Sequence, residues 1–182
     1  MTVTARKANF GTVVGERIFY EPFGTGDINL CYAWCQNKEV IRYLPSLPSP
    51  LSWEHHARWA QKALSQENRV DLMIRATMEW TYYPVIPVIR TAGRVHAVDL
   101  TSRSPEVGVL IGDMEMWGRG IATLAISKIV SWLNEHGPWD RCHALIHPDN
   151  GASMKAFAKN GFVLERKDGR NGQYLYVREI RR

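Results

Sequence analysis

Glu106–Thr123 reads EVGVLIGDMEMWGRGIAT, and the reading of this stretch decides the fold. Its first six residues, Glu106–Ile111, have the apolar, β-branched character of a strand. Gly118-Arg119-Gly120 then breaks the chain, and Ile121–His136 carries Ile121, Leu124, Ala125, Ile129, Trp132 and Leu133 at helical spacing. Gly137-Pro138 ends that helix. A strand that enters a glycine turn and leaves as a helix presents backbone N–H groups at the positive end of the helix dipole, a geometry that binds phosphate oxygens. Gly118 and Gly120 suit it, because they tolerate positive φ and carry no Cβ to hold an anion off. Arg119 adds a positive charge. A turn with a purely structural job is the alternative. Two common nucleotide motifs are excluded: a P-loop needs Lys-Ser/Thr after its last glycine, where Ile121-Ala122 stand. The dinucleotide fingerprint needs a third small residue inside a parallel βαβ unit, and Thr123 stands there after a hairpin series.

Working outward, Arg17–Phe23 reads as a first strand and Asp27 opens a helix with Leu30, Cys31 and Trp34 on its apolar side. A short helix over Lys38–Leu44 runs into the proline-broken loop Pro45–Pro50. Ser52 caps a helix over Trp53–Gln66, with Trp53, Ala57, Ala60 and Leu64 inward. Arg69–Tyr83 is unusually aromatic and reads equally as strand, insertion or loop. Val85–Arg90 is a strand, Thr91-Ala92-Gly93 a hairpin turn, and Arg94–Thr101 a strand with His96 and Asp99 on opposite faces. After the long helix come a strand over Arg141–His147, a helix over Asn150–Asn160, and two strands, Phe162–Arg166 and Gln173–Ile180, joined by Gly169–Gly172. Antiparallel and crossover connections in one chain predict an α+β, or mixed α/β, sheet and not a doubly wound one.

The chain has 182 residues, 45% of them hydrophobic and 23% charged, enough for one domain with its own core. We expect residues 1–15 to be an N-terminal extension and residues 16–182 to form one domain. A net charge of +5 fits an anionic small ligand and is too small and dispersed to argue for nucleic acid. No apolar run reaches the roughly 20 residues that span a bilayer, and no secretory signal is visible. Three cysteines, Cys31, Cys35 and Cys142, read as reduced thiols of a cytoplasmic protein. No metal site is expected, since His143 and His147 lack further ligands in register.

Three segments, in order, resemble the GNAT N-acetyltransferase superfamily. Trp117–Thr123 is similar to its acetyl-CoA motif, Gln/Arg-x-x-Gly-x-Gly/Ala, with Gly120 and Ala122 in the last two defined positions. Trp117 replaces the Gln/Arg, as in the branch resembling ribosomal-protein N-terminal acetyltransferases. His147–Ser153 with Lys159–Phe162 looks like the family's Asn-x-x-Ser helix and terminal Gly-Phe. Arg17–Phe23, Asp27, Trp34, Asn37 and Glu39–Leu44 look like the start of the same branch. The resemblance implies a mixed, mainly antiparallel sheet splayed in the middle, with acetyl-CoA in the split as co-substrate. It implies that Val109, Leu110 and Ile111 pair with the pantetheine arm. It also implies that the N–H groups of Trp117, Gly118, Arg119, Gly120, Ile121 and Ala122 hold the diphosphate, with Thr123 in the first helical turn.

Acetyl transfer to an amine needs a base, and Glu106 is the first choice, with Asp99 and His96 as alternatives. Ser153 is the candidate acid for the thiolate. The family often uses a tyrosine one turn on, where Phe157 has no proton to give. Asn150 reads as a helix cap that also reaches the pantetheine arm. His55 and His56 read as solvated. Trp34, Trp53 and Trp59 read as core, or as a ring against the acceptor. The expected partner is an amine acceptor, a protein N-terminus or a small molecule. Membranes are excluded, nucleic acid is disfavoured, and monomer or homodimer stays open.

Overall fold

The fold is that of a computed structural model, which describes residues 18–45, 47, 48, 50–79 and 87–180. The expected extension over residues 1–15 and the aromatic residues Trp80–Tyr83 lie outside the described residues. The elements in chain order are β1 (Ile18–Pro22), α1 (Ile28–Gln36), α2 (Lys38–Ile41), α3 (Trp53–Ser65), β2 (Val70–Glu79), β3 (Pro87–Val98), β4 (Glu106–Ile111), α4 (Ile121–His136), β5 (Arg141–Ile146), α5 (Gly151–Lys159), β6 (Val163–Arg166) and β7 (Tyr174–Glu179). The strands form one sheet in the order β1-β2-β3-β4-β5-β7-β6. All neighbours are antiparallel except β4 and β5, which run parallel and share the single register pair Glu106–His143. The sheet therefore parts between β4 and β5 immediately beyond that pair. This is the splayed, mainly antiparallel sheet expected from the sequence.

Alternation along each strand sorts the side chains onto two faces. Val107, Val109 and Ile111 of β4, with Cys142, Ala144 and Ile146 of β5, pack on the main core with α4 and α5. Leu110 faces the other way, onto a second cluster built from Cys31, Trp34, Val40, Ala60 and Met73. Helices α4 and α5 thus cover one side of the split, and α1, α2 and α3 the other. Asn160 locks α5 to α4: its amide donates to the Thr123 carbonyl at 3.0 Å and to the Ala156 carbonyl at 2.9 Å.

Three local expectations are corrected. Thr91-Ala92-Gly93 is no hairpin turn, because β3 runs unbroken from Pro87 to Val98. Ala92 is instead the extra residue of a bulge: Ile74 pairs with Gly93 and Arg75 with Thr91. Its carbonyl accepts from the N–H groups of both Gly112 and Asp113, and a Cβ on Gly93 would stand 2.2 Å from the Leu110 carbonyl. The glycine serves close strand approach and not a turn. The inward face of α3 is also rotated from the expected one. His56 and Ala60 are buried, with Trp59, Ala63 and Leu64 on the second cluster, and Trp53 is exposed. His56 is therefore not solvated, and its Nε2 donates to the Ile28 carbonyl at 3.0 Å, tying α3 to α1. As the sequence predicts, Gly137 ends α4, with extended backbone at φ −149; a Cβ there would meet the Trp139 ring at 2.1 Å.

Candidate functional site

Beyond the Glu106–His143 pair, the edge of β4 that faces β5 has no strand partner among the described residues. An unpaired run of backbone donors and acceptors inside the fold is a template for an extended ligand. The chain leaves β4 through a 3-10 turn, Met114–Met116, which Asp113 caps by accepting from the Glu115 N–H at 3.1 Å. Arg90 fastens this turn to β3 through Asp113 at 2.6 Å and through Glu115. The Trp117 indole then donates back to the Ile111 carbonyl at 2.8 Å, closing the loop over the strand end. Gly118 and Gly120 follow at φ +75 and +77. A side chain on either would meet no protein atom within 4 Å, so the space before the α4 N-terminus is open. The first-turn N–H groups of α4 have no intrahelical partners and point into it.

A cavity of about 420 Å³ joins the split to this turn. Val109, Leu110, Ile111, Trp117, Gly118, Gly120, Ile121, Ala122, Thr123, Asn150 and Ser153 all line it. A larger cleft of about 950 Å³, between α4 and the β6–β7 edge, contains none of them. Asn150 caps α5, its Oδ1 accepting from the Ser153 N–H at 3.1 Å. Phe157 is buried edge-on against Phe162, ring centroids 4.9 Å apart, and belongs to the core. Arg119 departs from expectation. Its Nε donates to the Glu115 carbonyl at 3.0 Å, and the residue does not line the cavity. The basic groups that do are Arg42, Lys155 and Lys159; Arg42 and Lys159 enter the sequence reading only through the family pattern, and Lys155 not as a site residue at all. Lysines on an exposed helix face carry no local signal of a ligand. Tyr43 was likewise read only as part of a family pattern; it lines the cavity, with its ring 5.3 Å from that of His147.

Glu106 lies where β4 and β5 touch, outside the cavity lining. Its Oε2 accepts from Arg170 at 2.7 Å and stands 3.8 Å from His143 Nε2. His143 Nδ1 is 3.1 Å from the Ser104 hydroxyl. His143 and His147 thus go to different partners. Asp99 is not a strand residue: it is exposed in the turn after β3, at φ +57, away from the split.

His96 lies directly opposite Gly108, two positions along β3 from Val98, which pairs with Glu106. A Cβ on Gly108 would lie 2.4 Å from His96 Nε2, so only glycine leaves room for the ring. His96 Nδ1 is buried and has no hydrogen-bond partner among the described residues. Burial first, then the Arg94 and Arg69 guanidiniums, push its pKa down to about 3. A free histidine titrates near 6.5, so between these values the unfolded chain binds a proton that the folded chain refuses. Stability from His96 is therefore complete above about pH 6.5 and is lost as pH falls, by up to about 1.4 kcal/mol per pH unit. Urea midpoints measured from pH 7 to pH 4.5 should fall more steeply for the native chain than for His96→Gln. Equal slopes would show that His96 titrates normally.

The profile of the acetyltransferase (GNAT) domain matches residues 17–163. The chain is 32% identical over 165 residues to an uncharacterized protein of Methanocaldococcus jannaschii, a match covering 90% of this chain and 32% of that one. It thus spans about a third of the length of that curated relative. A domain from Methanocaldococcus jannaschii, solved by crystallography, superposes with a TM-score of 0.79 at 30% identity, covering 91% of this chain and 99% of that one. RimL, a ribosomal L7/L12 alpha-N-protein acetyltransferase solved with coenzyme A, shares the fold at a TM-score of 0.71 and 18% identity, covering 92% and 96% of the two chains. A sheet parted between β4 and β5, a glycine turn at its mouth and a profile running from the first strand into β6 have one common reading: the chain belongs to the GNAT family of acetyltransferases.

Proposed function

We propose that the protein is an acetyl-CoA-dependent N-acetyltransferase that acetylates a primary amine by direct attack in a ternary complex. The preferred acceptor is a protein N-terminal α-amine. The observation that carries this reading is the unpaired β4 edge leading into the open Gly118–Gly120 turn. A pantetheine arm along Val109–Ile111 would take the place of the missing strand. Its diphosphate would meet the first-turn N–H groups of α4, with Arg42, Lys155 and Lys159 supplying positive charge. Acetyl-CoA supplies the activated acetyl group, and an amide bond forms as the C–S bond breaks. The backbone donors of the split strand hold charge that develops on the carbonyl oxygen. Glu106, at the closed end of the split, accepts the amine proton directly or through water. The Ser153 hydroxyl, in the cavity wall, gives its proton to the departing sulfur and regains one through water from the proton that Glu106 accepted.

The thiols support direct attack. Burial pushes Cys31 and Cys142 up to about 12 and raises Cys35 as well. None of them is a ready nucleophile for carrying an acyl group. The α-amine preference has an energetic side. An α-amino group of pKa about 7.7 is roughly 17% neutral at pH 7, against about 0.04% for a lysine-like amine. A single carboxylate on an ion pair then has little deprotonation left to drive. The deciding experiment is CoA release from acetyl-CoA across a panel of peptides and small amines. Intersecting double-reciprocal lines with an amine acceptor are expected. Tight CoA binding without turnover on any amine would mark a non-catalytic acyl-CoA-binding module instead.

A further inference from the structure

Across Leu110 from the cofactor cavity lies a second pocket, between α1, α3 and the sheet, and Leu110 lines both. Its volume is about 110 Å³. Trp34, Trp59, Cys31, His56 and Arg94 form much of its wall, and no carboxylate lines it. The guanidinium carbon of Arg94 lies over the Trp59 ring, 4.6 Å from the centroid, and the side chain is only 14% exposed. It pairs with Asp71 beneath it. The same carboxylate also takes Arg69, at 3.0 Å. Neither guanidinium has another carboxylate among the described residues. Two largely shielded cations therefore share one buried anion, and the cluster carries a surplus positive charge. Burial pushes the Asp71 carboxyl up, but Arg94 and Arg69 together hold it below its usual range, so it stays ionised. Burial, reinforced by the same two arginines, keeps His96 alongside neutral. A surplus charge shielded from water is costly until an opposite charge joins it.

We propose that this pocket selects the acceptor: it takes an amine with a carboxylate a short link away, seated on Arg94 with its stem against Trp59 and Leu110. This rests on the acetyl-transfer reading above. At about 30 Å³ per water, the pocket has room for three or four waters, which matches a carboxylate with one or two methylenes. A polyamine or aminosugar would bring further positive charge to an arginine, with no acid to receive it. An acidic residue near a peptide N-terminus and a free acidic amino acid present the same chemistry.

The test is calorimetry on the full chain loaded with CoA, titrated with three peptides that differ only in Asp, Asn or Lys at the second position, with free aspartate, and with spermidine. The Asp peptide should bind at least tenfold tighter than the Asn peptide, with the Lys peptide and spermidine weaker still. Free aspartate matching the Asp peptide would identify the free amino acid as the source. Arg94→Gln should erase the preference while leaving Asp71 paired with Arg69, and Arg94→Lys should retain it. The proposal is overturned if Asn equals Asp, if a cation binds best, if none of the ligands binds, or if Arg94→Gln keeps the ranking. If the ranking holds but no acceptor releases CoA from acetyl-CoA, the pocket assignment stands and the acetyl-transfer reading falls.

Discussion

Glu106→Gln is expected to lower kcat/KM at pH 7 by at most about sixfold for an α-amine, which is already roughly 17% neutral, and by up to about 10³-fold for a lysine-like amine, which is only about 0.04% neutral. The substitution keeps the size of the side chain and one acceptor oxygen for Arg170, so the fold and CoA affinity should change little. The deficit should shrink as pH rises above the acceptor's own pKa, because solvent then removes the proton unaided. For an α-amine this recovery should be nearly complete by about pH 9, and for a lysine-like amine it should need about pH 11. The crossover pH therefore reports on the acceptor as well as on the base. A rate unchanged by Glu106→Gln at pH 7 would remove Glu106 from the reaction and leave the neutral His96 imidazole as the next group to test.

The second large effect is expected at Gly120. A Cβ there meets no protein atom within 4 Å, so Gly120→Ala disturbs the protein only through its left-handed backbone at φ +77. That strain costs about 1–2 kcal/mol, or roughly 2–8 °C in Tm for a domain of this size. The added methyl group does, however, enter the space into which the α4 N–H groups point. Losing one charge-assisted N–H contact to a phosphate costs about 1.5–3 kcal/mol, roughly ten- to 150-fold in Kd for CoA. Gly172→Ala is the matched control. It has φ +73 and equally open space, but it lies outside the cavity lining. It should share the Tm loss and leave CoA affinity intact. Equal affinity loss in both variants would trace the effect to general destabilisation.

The difference between these two sites shows what sequence can carry. The strand, turn and helix around Gly118 and Gly120 are encoded locally, in a run of apolar residues, two glycines and a helical period. The observed bounds of β4 and α4, Glu106–Ile111 and Ile121–His136, are those read from the sequence. Thr91-Ala92-Gly93 looks like a turn by the same local logic, yet Gly93 answers to the Leu110 carbonyl on another strand. Nothing near it in sequence records that approach. The α3 face is misread for a related reason. Trp53 and His56 are one turn apart, and hydrophobicity favours the tryptophan inside, but the Ile28 carbonyl needs a donor and His56 supplies it. The Arg69–Asp71–Arg94 cluster leaves no local trace because Arg94 lies on β3 and Asp71 on β2, with Arg69 just ahead of it, and those strands meet only through their register. The split itself had no composition signal and was reached only through family resemblance.

The most direct test of the account is a calorimetric titration of the full chain with acetyl-CoA, run at two temperatures so that a vanishing enthalpy cannot conceal binding. The account predicts a one-to-one isotherm, with Kd between about 1 µM and 1 mM as is usual for enzyme substrates, weakened at least tenfold by Gly120→Ala. No heat at either temperature with millimolar ligand would contradict it.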